Sequence, residues 1–131
     1  MEMETQSILS ELRNTRFALV RWNQYAYLSL FGAKVGDKKP PFDLEECKFG
    51  QWLQGKGAEL LGHHPHFHSI CDTHSNLREL HQRIQDHRHS DEIEHAKEQW
   101  KHFAQAFRHM LDTMITLEQS LEAHLRLKPQ A

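Results

Sequence analysis

The sequence predicts an all-α protein, an antiparallel four-helix bundle with one or two additional short helices. Apolar residues recur every three or four positions through three long segments, and most of the glycine and proline lies between those segments. No segment shows the alternation of apolar and polar residues that a half-buried strand would have. At 131 residues the chain has the length of one domain. We predict a single helical domain over 1–131, with a loop at 35–42 and a tail or the start of a linker at 128–131.

The first long helix is predicted from about Thr5 to Phe31, with Gly32 ending it. The segment that follows, GAKVGDKKPPFD, holds two glycines and a Pro-Pro pair and is predicted to be a loop. The face of the helix that should point into the core consists of Ile8, Leu12, Thr15, Leu19, Trp22, Ala26 and Leu30.

A short helix is predicted after the loop. Asp43 is a favourable N-cap, and Glu45 and Glu46 suit the positive end of a helix dipole. The helix would carry Cys47, Phe49, Trp52 and Leu53. Three glycines are then predicted to break it up: Gly55, Gly57 and Gly62.

Two further long helices complete the prediction. The second runs from Pro65 to about His87, and its inward face is Phe67, Ile70, His74, Leu77, His81 and Ile84. After His89, the run SDEIEH supplies an N-cap and acidic first turns for the third, which continues to about Leu127. Its inward face is Ile93, Trp100, Phe103, Phe107, Met110, Met114, Leu117 and Leu121.

Composition excludes several classes of function. The chain holds 16 Lys and Arg against 18 Asp and Glu, a balance without the basic field that draws nucleic acid or an anionic membrane. It has no apolar run near the roughly 20 residues of a transmembrane helix, and its first residues are acidic where a secretory signal is basic. We therefore expect a cytoplasmic protein whose two cysteines are free or liganded, not paired in a disulfide.

Histidine is the outlier, with twelve residues. His95, His102 and His109 lie two positions, about 200°, from core positions, so they should face solvent or the edge of a dimer contact. A loop cluster, His63, His64, His66 and His68, is typical of polar surface. His74 differs because its helical phase places it on the buried face, one turn after Cys71 and one turn before Arg78.

These motifs resemble a known family. Trp22 in the first helix, EECKFGQWL in the short helix and PHFHSICDTHSNLREL in the next helix are similar to the chemoreceptor zinc-binding domain family. That family occurs in bacterial chemoreceptors and in a zinc-inhibited diguanylate cyclase. The resemblance spans about Leu12 to Leu121. It implies a four-helix bundle, often a homodimer, that binds one zinc through three histidines and one cysteine.

Two of the four ligand positions depart from the family pattern. The resemblance retains Cys47 and His74, but it places Leu19 and Arg78 where the family has histidines. Charged arginine has no lone pair for a metal. One interpretation is a rearranged zinc or redox sensor that uses Cys47, Cys71 and His74, with His81 or water completing the shell.

A second interpretation is a domain that has lost the metal and kept the scaffold. Leu19 would fill the space of the first ligand, and Arg78 would replace the positive charge of the ion by pairing with a carboxylate or the Cys47 thiolate. We expect such a domain to act in signal transduction as a sensory or regulatory homodimer that controls a partner output domain or protein.

An enzyme is the third interpretation. Di-metal bundles use several Glu-x-x-His pairs, and this chain has one such pair, Glu92 and His95, on a face predicted to point outward. The sequence carries no Ser-His-Asp set, phosphate-binding loop or dinucleotide fingerprint. We therefore expect no enzymatic activity of its own.

Overall fold

The computed structural model describes residues 2–31 and 48–127, and every regular element in those ranges is an α-helix. The predicted all-α bundle is confirmed. None of the described helices combines the length and apolar character needed to cross a membrane. The predicted loop at 35–42, the N-cap Asp43, Cys47 and the segment 128–131 lie outside the described residues. The helices are α1 (Glu2–Phe31), α2 (Lys48–Gln54), α3 (Lys56–Leu61), α4 (Pro65–His89) and α5 (Ile93–Leu127).

Helix α5 packs against both other long helices and runs antiparallel to them. The chain reverses over residues 90–92 between α4 and α5. Arg16 of α1 bonds Glu118 of α5, whereas Tyr27 meets Trp100 at a ring distance of 5.4 Å, so increasing numbers in α1 meet decreasing numbers in α5.

The short helices α2 and α3 bridge α1 and α4, so they occupy the fourth side of the bundle. Trp52 of α2 donates from Nε1 to Oε2 of Glu11 in α1 at 3.3 Å. The ring of Phe49, also in α2, meets the ring of His74 in α4 edge-on at 5.3 Å.

The core follows the predicted helical faces closely. Apolar side chains from all five helices form one cluster, including Leu12, Leu19, Leu77 and Phe103. Ile93 is an exception, with 39% of its surface exposed, because it opens α5 directly after the turn; Ala96, one turn later, is fully buried. The three buried polar residues of the described chain are His74, His81 and Glu118.

Gly57 corrects one prediction. It lies inside α3 and does not break a helix; Gly55 separates α2 from α3. A Cβ atom at position 57 would stand 2.9 Å from the carbonyl oxygen of Trp52 and 3.0 Å from its ring. Glycine is therefore required here by the close approach of the Trp52 backbone and indole.

Candidate functional site

His74 is the centre of the predicted site, and the structure buries it as the helical phase predicts. It is 3% exposed, and its ring packs against the Phe49 ring with 85° between the ring planes. Burial, reinforced by the positive charge of Arg78, lowers the pKa of His74 to about 4. The imidazole is therefore neutral at neutral pH.

Cys71 lies one turn before His74 on α4 and is half-buried against the apolar core. Burial raises the pKa of the Cys71 thiol, and the adjacent carboxylate of Asp72 raises it further. Because thiolate is the nucleophilic and metal-binding form, this environment holds the cysteine in its less reactive state.

The two departures from the family pattern occupy well-defined environments. Leu19 is 8% exposed and belongs to the same apolar cluster as Phe49 and Leu77. Arg78 is half-buried one turn after His74, and its charge acts on that imidazole. Neither side chain offers a lone pair to a cation, so these residues do not fit the four-ligand zinc site that the resemblance implies.

His81, the predicted completing ligand, lies in an aromatic cluster. Its ring centroid is 6.0 Å from that of Trp22 and 6.2 Å from that of Phe103. Burial lowers the pKa of His81 to about 4. Seven residues of helix separate His81 from His74, roughly 10 Å along the axis. Among the described residues, no three His, Cys, Asp or Glu side chains are grouped so that they could hold a metal ion.

A partly buried ion-pair network joins α1 to α5, and the sequence pattern did not predict it. Glu118 is 4% exposed and accepts from Arg16 Nε at 2.6 Å and from Arg16 Nη2 at 3.0 Å. Arg13 Nε lies 3.5 Å from Glu118 Oε1, and Arg13 Nη2 donates to Glu122 Oε1. The available signal was the phase of Glu118, one turn after Met114 and next to Leu117 on the core face.

The outer face of α1 carries exposed apolar side chains. Phe17 is 53% exposed, Val20 37% and Leu28 43%, at helical spacing on the side away from the buried Leu12 and Leu19. The guanidinium of Arg16 lies 4.8 Å from the Phe17 ring centroid. This stripe, here called the α1 outer face, is apolar surface that the described part of the chain leaves uncovered.

The surface histidines of α5 lie where their phase predicts. His95, His102 and His109 are exposed. His102 and His109 line a polar groove of about 600 Å³ between α4 and α5, together with Asn76 and Arg83. The groove is lined largely by polar groups.

No protein-family model matches the chain, and no curated protein or solved structure matches it either.

Proposed function

We propose that this chain is a cytoplasmic sensory or regulatory domain that resembles the chemoreceptor zinc-binding domains and has replaced their metal with protein side chains. It acts through homodimerisation and the control of a partner output domain or protein, and it catalyses no reaction itself. One observation carries the proposal: Arg78, at a position where the resemblance implies a zinc ligand, lies half-buried one turn after His74, whose imidazole is kept neutral by burial and by the Arg78 charge.

Arginine keeps its charge at all physiological pH values, so a positive charge at this position is permanent. A zinc ion bound by His74 would have to sit near that charge without a compensating ligand from Arg78 or Leu19. Leu19 contributes instead to the apolar packing around Phe49. Leu19 and Arg78 therefore support a former metal position that is now stabilised by apolar packing and by a permanent positive charge.

The α1 outer face supports the homodimer. Phe17 and Leu28 stand 11 residues apart, about three helical turns, so both project from the same side of α1. Two copies of α1 packed antiparallel about a two-fold axis would bring Phe17 of each copy against Leu28 of the other, which is the self-complementary contact that a symmetric dimer requires. A shift of one α1 helix relative to the other in this dimer would provide a means to control an output partner.

The zinc content of the purified protein tests whether this position has lost its metal. We expect untagged protein to hold no zinc that depends on Cys47, so the zinc content measured by plasma mass spectrometry should be equal in wild type and Cys47→Ala. The double variant Leu19→His with Arg78→His should gain about one zinc per chain, and Leu19→His alone is the matched control. About one zinc in the wild type that is lost in Cys47→Ala would mean a working sensor and would overturn the proposal.

Sedimentation tests the dimer. We expect a monomer–dimer equilibrium at micromolar concentration that Phe17→Ser with Leu28→Ser weakens at least tenfold. Ile93→Ser is the matched control, because Ile93 is a comparably exposed apolar residue, 39%, at the start of α5. A wild-type protein that is only monomeric at this concentration would rule out the homodimer.

A further inference from the structure

Two imidazoles face each other where α4 meets α5. The ring centroids of His87, in the last turn of α4, and His95, in the first turn of α5, are 5.5 Å apart, with 28° between the ring planes. Two histidines that share one tetrahedral zinc ion hold their ring centroids roughly 5 Å apart, given Zn–N bonds of about 2 Å. The observed distance between the two ring centroids is therefore close to the distance expected for two histidines that bind one ion.

The backbone of the turn holds these residues in place. The N–H of Glu92 donates to the carbonyl of His87 at 2.7 Å, and the N–H of Asp91 donates to that of Arg88 at 3.2 Å. Asp91 adopts the left-handed conformation, with φ of 56°. These bonds form a Schellman motif, which ends α4 and starts α5 with little freedom between them.

Glu92 is placed to orient His87. Its Oε1 lies 3.5 Å from His87 Nδ1. A carboxylate at Nδ1 favours the tautomer that carries its proton there, which leaves the lone pair on Nε2 for a metal. Acidic residues outnumber basic ones around the turn, which favours a cation: Asp86, Asp91, Glu92 and Glu94 against Arg88 and Lys97.

We propose that His87 and His95 form a binding site for a divalent transition-metal ion of the zinc class, with Glu92 as the positioning residue and water completing the coordination. Imidazole pairs suit zinc, nickel and copper, whereas magnesium and calcium prefer oxygen ligands. The bound ion would join the end of α4 to the start of α5 and so stabilise the hairpin. The site is independent of the proposed function, because His87 lies 13 residues, roughly 20 Å of helix, beyond His74.

Calorimetric titration of untagged protein with Zn²⁺ tests the site, in a Cys47→Ser, Cys71→Ser background that removes both thiols. We expect one site, at least tenfold weakened by His87→Gln and by His95→Gln. Glu92→Ala should weaken it roughly tenfold, and Glu92→Gln, which keeps an acceptor oxygen, should restore part of the loss. Ni²⁺ should bind the same site, Mg²⁺ should not, and Zn²⁺ should raise the Tm.

The histidine pair at the other end of α4 is the matched control. The rings of His64 and His66 lie 5.2 Å apart, but His64 Nδ1 already accepts from the backbone N–H of His66. His64→Gln with His66→Gln should leave the affinity unchanged. Three results would each overturn the proposal. They are equal losses of zinc affinity in the variants of the two histidine pairs, unchanged zinc affinity in His87→Gln, and no zinc binding in the cysteine-free background. Because these side chains lie at the surface, the variants should fold like the wild type, and circular dichroism checks that they do.

Discussion

The guanidinium of Arg16 in α1 holds the buried carboxylate of Glu118 in α5 through two hydrogen bonds, at 2.6 and 3.0 Å. The side chain of Glu118 is 5% exposed and that of Arg16 is 20% exposed. Such a pair favours the observed register of the two helices, because displacing α1 would break both of the hydrogen bonds that Arg16 makes to this buried carboxylate.

Removal of the Arg16 guanidinium should lower the stability of the fold. Arg16→Met removes both close hydrogen bonds to the Glu118 carboxylate and leaves it only Arg13 at 3.5 Å, so we expect a loss of about 2–3 kcal/mol in the free energy of unfolding measured by urea denaturation. Arg16→Met with Glu118→Leu should recover most of that loss, because no charge then stays buried. Lys101→Ala, at an exposed pair with Glu98, should change stability by less than about 0.5 kcal/mol. A loss below 1 kcal/mol in Arg16→Met would contradict a structural role for the pair.

Stability should fall in mild acid because two histidines are buried in the neutral form. The pKa of His74 and that of His81 are each lowered to about 4 in the folded state. The ordinary value of about 6.5 applies when the chain is unfolded. The unfolded state therefore binds more protons between these values, and the stability present above pH 6.5 is lost as the pH falls towards 4.

Urea titrations between pH 6.5 and pH 5 measure this effect, since ordinary carboxylates stay mostly ionised there. Each histidine should contribute a slope of up to about 1.4 kcal/mol per pH unit. His81→Leu should remove one of the two contributions, whereas His102→Gln, at an exposed position, should leave the slope unchanged. An identical slope in wild type and His81→Leu would show that His81 is not buried as described.

Phe103 is expected to be the most sensitive apolar position of α5. It is fully buried, and its ring lies 4.8 Å from that of Trp100 and 6.1 Å from that of Trp22. Phe103→Ala should cost about 3–5 kcal/mol because it removes this packing and leaves a cavity. Phe103→Leu should cost clearly less. Tryptophan fluorescence follows the unfolding, and a loss below 1 kcal/mol in the alanine variant would refute this packing.

Cys71 should react slowly with thiol reagents. Its raised pKa keeps it protonated, and its side chain is only partly exposed to solvent. In a Cys47→Ser variant at pH 7.5, alkylation by iodoacetamide should be several times slower than in the urea-unfolded chain. Asp72→Asn should accelerate it modestly by removing the nearby negative charge, whereas Asp112→Asn, on α5, should not. Equal rates in folded and unfolded protein would contradict the burial of the thiol.

Helical phase was the most informative signal in the sequence. The 3.6-residue repeat predicted that His74 and His81 face the core and that His95, His102 and His109 face outward, and the structure confirms each position. Phase is a local property, because the geometry of one helix decides which residues share a face. The same property predicted the interior faces of the long helices, with Ile93 as an exception at the start of α5.

Contacts between different helices could not be predicted from such local patterns. The burial of Glu118 requires Arg16 on a helix about one hundred residues earlier in the chain. The pairing of His87 with His95 requires the left-handed residue Asp91 in a particular turn. Gly57, predicted to break a helix, is needed because Trp52 folds back against it.

The sequence by itself determined the all-α class, the extents of the long helices and the inward phase of His74, because periodicity and glycine or proline boundaries act over a few residues. Only the tertiary structure decided which charges are buried together, which histidines are neighbours and which apolar face is left at the surface. Those outcomes depend on the register and packing of helices that are distant in the chain, where desolvation and side-chain contacts determine the energy.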